Sequence, residues 1–212
     1  AAEPAEAAEP AEEAAERLAR SLRGLVGCAV ITGHQRRQYD AARQIWNMDA
    51  SGFPDVIVQP TSAEEVASAI NFARRHKLAV CVRTKGAHSS DAMVTGCLCI
   101  DLSLMRSVRV DAAAATAEIG GGCLIGDVDD ACKPHGLALP MGHVHHTGVA
   151  GMALNATSGV GFLARTRGLT VTFLREVTLV TADGKIRNVS EATDPDLFWA
   201  VQGAGANFGV VT

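Results

Sequence analysis

No run of this sequence approaches the roughly 18 uninterrupted apolar residues that a membrane-spanning helix needs, and no basic start followed by an apolar core marks a secretory signal. The sequence predicts no membrane span and leaves the compartment open. It also lacks a clustered basic face. Six of its 23 acidic residues fall within the first 16 positions, which hold no Lys or Arg, so the remainder balances 17 acids against 19 bases. That near-neutral body gives no electrostatic case for nucleic acid. The six cysteines are too few and too dispersed for a disulfide scaffold, and no C-x-x-C pair suggests a zinc knuckle. They read as buried small residues, Cys97 and Cys99 sharing one face of a strand. Neither G-x-x-x-x-G-K-[ST] nor a G-x-G-x-x-G opening a helix after the first strand is present, which disfavours the two commonest nucleotide-binding folds. An initial Met is absent, and the last residues, "NFGVVT", form an apolar β-branched run that should pair with something further on. The chain reads as a fragment.

What is present suits a globular body: 212 residues, 48% hydrophobic, enough for one sizeable core or two sub-cores. Residues 1–24 read as a low-complexity Ala/Glu/Pro tether and the start of a short helix, and residues 25–212 as the folded domain. Within the first segment the charge and the lack of large apolar side chains cannot offset ordering entropy. Leu18, Leu22 and Leu25 then recur at helical spacing, with Glu16 and Arg20 as an i,i+4 pair, in a helix ending near Gly24 or Gly27. "PDVIVQP" predicts a strand. "TSAEEVASAINFARRHKL" predicts a helix with Ser62 and Glu65 as a capping box and Val66, Ile70 and Ala73 facing the core. "LAVCVR" predicts the strand that completes a βαβ unit and feeds "RTKGAHSS" from the carboxyl end of a parallel strand. Further on, "LCIDLS", "SVRVD" and "ATAEIGGG" are short strands. "LIGDVDDACKPHG" is a helix with Leu124, Val128 and Cys132 in register. "EVTLVTADGKIRNVS" is a hairpin turning at Asp183-Gly184, and "DPDLFWAV" a short helix opened by Asp194-Pro195. The predicted class is α+β.

Three glycine-bearing loops, "RTKGAHSS", "PMGHVHHTGVAG" and "SGVG", carry the functional interest. Glycine allows backbone amides to approach an anion closely, and Arg83 or Lys85 would add charge. On spacing alone the loop holding His88 is a strand exit, a phosphate cradle, a metal site or a covalent attachment point. His143, His145 and His146 raise zinc as a further option, without an evident fourth ligand.

The ordered segments "DVIVQPTSAEEVASAINFARRHKLAVCVRTKGAHSS", "CIDLSLMRSVRVD", "IGGGCLIGDVDDACKPHGLALPMG", "TGVAGMAL", "GLTVTFLREVTLVTADGKI" and above all "DPDLFWAVQGAGANFGVVT" carry a resemblance. From about Tyr39 to Thr212 the sequence resembles the FAD-binding domain of the p-cresol methylhydroxylase type, and more closely that of the berberine bridge enzyme-like FAD-linked oxidoreductases in the vanillyl-alcohol oxidase superfamily. The resemblance implies a two-subdomain flavin-binding fold: a small βαβ-containing subdomain and a mixed or antiparallel sheet flanked by helices, with the substrate domain absent. It implies cofactor contacts at Arg83, Thr84, Lys85, Gly86, Ala87, His88 and Ser89. Further contacts fall at Pro140, Gly142, Val144, Thr147, Gly148 and Gly151, then at Gly159 and Gly161, and in the terminal strand at Gly209. His88 aligns with the histidine that carries the flavin through an 8α bond. Val144 stands where many relatives have a second, cysteinyl tether, so a single attachment is implied.

The activity implied is that of an FAD-dependent oxidoreductase, an oxidase rather than a dehydrogenase. Hydride passes from a small alcohol, sugar or amine-type substrate to covalently bound FAD and then to molecular oxygen. The general base is expected in the missing C-terminal region, so no catalytic residue is assigned here. The sequence departs from the family in "NATSGVG", longer and poorer in glycine than the usual run, and in Thr172 and Phe173, which replace an Asp-Asn pair. Those departures support an alternative, a truncated non-catalytic remnant of the flavin fold.

Overall fold

The computed structural model describes residues 10–47, 49, 52–86, 92–155 and 160–212. Four strands build the first sheet: β1 (Ala29–Ile31), β2 (Val56–Gln59), β3 (Ala79–Arg83) and β4 (Cys97–Asp101), in the order β1-β2-β4-β3. β2 and β3 run parallel to β4, which lies between them, and β1 pairs antiparallel with β2. The expected βαβ unit is therefore present with a third strand inserted between its two.

The period-two alternation of a strand decides what each face meets. Val56, Val58, Leu98 and Ile100 face α1 (Ala11–Arg23) and α3 (Ala63–His76), whose Leu22, Val66, Phe72 and Ala73 close that core. Ile57, Cys97 and Cys99 turn the other way, against Cys81, Met93 and Tyr39, the last from α2 (Arg36–Arg43). All five residues of β4 are buried, as a parallel strand covered on both faces requires. The cysteines pack here as small apolar groups. Cys81 and Cys97 bring their sulfurs to 3.2 Å, and all six are free thiols. Burial pushes the thiols of Cys28 and Cys123 up to about 11, so both stay protonated at neutral pH.

Helix α1 starts inside the Ala/Glu/Pro segment that sequence composition marks as a tether, because Ala15, Ala19 and Leu22 fall on one buried stripe. Its Glu16 pairs with Arg23 at 2.7 Å, not with Arg20, and also accepts from Thr32 at 2.9 Å. Leu25 lies past the helix end and is exposed. In α3, Ser62 accepts from the Glu65 amide at 3.3 Å, while the Glu65 carboxylate reaches back to the Thr61 amide at 2.8 Å.

The second half adds a hairpin of β5 (Val108–Asp111) and β6 (Thr116–Ile119), then α4 (Ile125–Cys132), which buries Ile125, Val128 and Cys132; Leu124 serves as its N-cap instead of a core position. After the short helices α5 (Val149–Ala153) and α6 (Ala164–Arg167) come β7 (Glu176–Val180), β8 (Ile186–Ser190) and β9 (Val210–Val211), an antiparallel sheet ordered β8-β7-β9. Asp194 caps α7 (Pro195–Ala204) through the Leu197 amide at 3.2 Å, and Phe198 and Val201 of that helix pack on the sheet. Val180 and Val210 enter the first core, and Gly184, at φ +76°, sits where a Cβ would overlap the Asn71 amide of α3. The two sub-cores thus meet without a linker.

Asp127 ties the start of α4 to the turn before β5. Its carboxylate takes Arg106 Nε at 2.9 Å and Nη2 at 2.5 Å, and the Leu124 amide at 2.8 Å. Burial raises its pKa, but the Arg106 fork and the amide outweigh that and hold it below the ordinary carboxylate range. A carboxylate whose folded pKa is depressed stabilises above its unfolded value, about 3.9, and that stability is lost as pH falls through the folded value. Asp127→Asn is expected to cost about 1.5–3 kcal/mol at pH 7 and to give a shallower loss of stability below pH about 4 than the parent, read by urea unfolding across pH.

Candidate functional site

Arg83 is the last residue of β3 and Asp101 the last of β4, and the parallel register sets them side by side. Both are buried, at 6% and 0% exposure, and Arg83 Nη1 donates to Asp101 Oδ2 at 2.9 Å. Arg83 Nη2 donates to the Gln44 carbonyl at 2.7 Å. Asp101 also accepts from Gln59 Nε2 at 2.9 Å and from the Ser103 amide at 3.1 Å. The charge expected to meet an anion is therefore spent inside the protein, and exposed Lys85 is the cation left on that loop. Arg83 Nε is buried with no partner among the described residues.

From Arg83 the chain passes into Thr84–Gly86, and there it meets the second glycine loop backbone to backbone. A Cβ on Gly86 would overlap the His146 carbonyl and approach the Thr147 carbonyl carbon to 2.9 Å. A Cβ on Gly148 would overlap Thr84 Oγ1. The second loop is held from below: the Ile125 amide donates to Thr147 O, Gly126 to His145 O and Val149 to Cys123 O, each at 2.9 Å. The segment 145–149 is thus clamped to residues 123–126 at the start of α4. Pro140 anchors the loop's other end, accepting from buried Thr170 Oγ1 at 2.6 Å, and Gly142 N meets Met152 Sδ at 3.3 Å. Gly161 belongs to the same surface, since its Cβ would overlap the Met141 carbonyl.

Thr84, Gly86, Thr147 and Gly148 are thereby brought together, exposed Lys85 lies between Thr84 and Gly86 in the chain, and Pro140, Gly142 and Gly161 gather at the far end of the second loop. Val144 is exposed on the same loop. Gly151 lies in α5, where nothing approaches within 4 Å of an added Cβ. Gly209, at φ +150°, has Val180 and Leu179 of β7 as its nearest neighbours, so it serves strand packing. Ala87, His88, Ser89 and Gly159 lie outside the described residues. The three histidines disperse. His146 packs against the Trp46 ring at 4.9 Å and His143 toward Phe162 at 6.0 Å, while the His145 ring lies over Gly126. Among the described residues no three His, Cys, Asp or Glu are placed to hold a metal.

Sequence reasoning passed over Gln44, Trp46, Gln59 and Asp101. The usable signal was at Asp101, an acid ending one apolar strand just as Arg83, a base, ends another. Trp46 and Gln44 sit in an irregular stretch after α2 and offered no periodicity.

Residues 54–190 match a family model described as an FAD binding domain. The chain belongs to this family. It is 40% identical over 176 residues to (R)-6-hydroxynicotine oxidase of Paenarthrobacter nicotinovorans, covering 82% of this chain and 38% of that protein. The crystal structure of 6-hydroxy-D-nicotine oxidase from Arthrobacter nicotinovorans superposes with a TM-score of 0.84 at 38% identity, over 88% of this chain and 41% of that one. Glucooligosaccharide oxidase from Acremonium strictum, whose FAD is described as 6-S-cysteinyl and 8α-N1-histidyl, gives a TM-score of 0.83 at 28% identity, over 96% and 41%. The chain spans well under half the length of these relatives. The residues present fit the family's cofactor in kind: a diphosphate needs backbone at close range, and Gly86 and Gly148 bring two loops together with no side chain of their own between them.

Gly86→Ala is expected to destabilise the protein by about 1–3 kcal/mol, because the new methyl must displace backbone on the facing loop. Gly33→Ala, where nothing lies within 4 Å, is expected to stay within about 0.5 kcal/mol. Thermal melts of the two variants make the comparison.

Proposed function

We propose that this chain is the flavin-holding part of an FAD-dependent oxidase that takes hydride from a small alcohol, sugar or amine and passes the electrons to oxygen. The observation that carries the reading is the seam between Thr84–Gly86 and His146–Gly148, where a Cβ on Gly86 would overlap the facing backbone and one on Gly148 the Thr84 hydroxyl. In this reading the amides of both loops hold the FAD diphosphate and Lys85 adds the exposed charge. Pro140, Gly142 and Gly161 form the floor beneath the rest of the cofactor. When bound, FAD supplies hydride acceptance at its ring system; the protein supplies position, charge and exclusion of water.

His88 follows the seam by two residues and is the proposed point of covalent attachment. Support comes from its place in the motif and from a histidyl-linked relative. Val144 offers no thiolate for a second bond, so attachment is single. The oxidase reading draws on relatives that are nicotine and oligosaccharide oxidases, and it assigns substrate contacts and the general base to sequence outside these 212 residues.

The test is acid precipitation of the full-length protein followed by in-gel flavin fluorescence, beside His88→Ala. Fluorescence that stays with the parent band and is absent from the variant is the expected result. Flavin found only in the supernatant of the parent retires the covalent bond while keeping the cofactor. Flavin in neither fraction favours the non-catalytic remnant, to which Thr172 and Phe173 already lend some weight: Thr172 turns its hydroxyl to Leu169 O at 2.7 Å and Phe173 is exposed, so neither offers the polar contacts of an Asp-Asn pair.

A further inference from the structure

We propose that Arg83 is a positioning residue of the cofactor site and not one of its anion contacts: its guanidinium holds Thr84–Gly86 against His146–Gly148. The proposal rests on the reading that this seam receives FAD. The geometry gives the guanidinium a hold on both sides of the seam. One side is the chain itself, since Gly86 lies three residues beyond Arg83. The other runs through the Gln44 carbonyl, which accepts from Arg83 Nη2 at 2.7 Å. Two residues on, the Trp46 ring lies 4.9 Å from that of His146, whose carbonyl faces Gly86. Arg83 thus stands at the root of a loop and, by way of Gln44, of the segment that braces the opposing loop.

Three features make this an arginine's task. The planar fork donates in two directions at once, to Asp101 and to Gln44, which a lysine ammonium on a flexible stem cannot reproduce with the same rigidity. Asp101 is held in turn by Gln59 and Ser103, so the anchor is tied to the ends of β2 and β4 rather than to a mobile surface group. The third nitrogen, Nε, is buried as well, without an acceptor among the described residues, so the whole guanidinium is enclosed and withheld from solvent.

The experiment separates positioning from stability by comparing Arg83→Lys and the paired apolar variant Arg83→Met/Asp101→Leu with the full-length parent. The pair removes both buried charges together, which commonly preserves stability where removing one does not. In a His88→Ala background, where FAD is not held covalently, hydrogen exchange is followed on FAD-free protein over 83–86 and 146–149, FAD affinity by quenching of flavin fluorescence, and folding by the thermal midpoint. The expected result is a folded paired variant in which exchange at the seam is about tenfold faster while β4 stays protected, and FAD binds about tenfold more weakly. Arg83→Lys is expected to shift both readouts in the same direction, and it decides the matter should the paired variant not fold. Parent-like exchange at the seam in a folded variant overturns the proposal, as does a loosened seam with unchanged FAD affinity. A parent that binds no FAD sinks the functional reading instead, and the exchange comparison still reports whether Arg83 holds the two loops together.

Discussion

Arg83 and Asp101 end two neighbouring parallel strands and neutralise each other out of water, and the arrangement of the site follows from that pair. A buried charge deprived of its partner costs about 3–5 kcal/mol, so neither residue is free to turn toward a ligand. With the end of β3 fixed, the chain leaves the sheet in one direction. With Gln44 fixed by the same guanidinium, the irregular segment after α2 is brought to the rim of the second glycine loop. The charge that sequence reading offers to an anion is paired inside the protein.

Two glycine loops then approach within the thickness of a backbone, and the approach is supported from a third direction. The start of α4 pairs with residues 145–149 through three amide bonds, and Asp127 ties that same start to Arg106 and the Leu124 amide. The hairpin, the helix and the second loop are therefore tied to one another by hydrogen bonds. Backbone held on both sides is what a diphosphate would meet there, and such a frame needs little reorganisation.

Much of this was legible in the sequence. Short apolar runs gave β2, β3 and β4, the "EVTLVTADGKIRNVS" pattern gave β7 and β8 with their turn at Asp183-Gly184, and Ser62 and the Asp194-Pro195 pair marked helix starts. The ordered motifs gave the family, and the glycines of both loops gave the place of the seam. What escaped depends on contacts distant in sequence. The helical start at Ala11 comes from alanines that become an apolar stripe only against the sheet, the insertion of β4 between β2 and β3 is a matter of topology, and the close approach of Gly209 to β7 joins segments far apart in the chain. The burial of Arg83 belongs with these, because only the parallel register places Asp101 beside it.

The central claim is that the seam between Gly86 and Gly148 receives the FAD diphosphate. An electron-density map of the full-length protein with its flavin tests it most directly. The expected result is both phosphates within hydrogen-bonding reach of backbone at Thr84–Gly86 and at Gly148, with the Arg83 guanidinium still paired to Asp101. Phosphates held elsewhere, or an Arg83 that has left Asp101 to bind them, would contradict it.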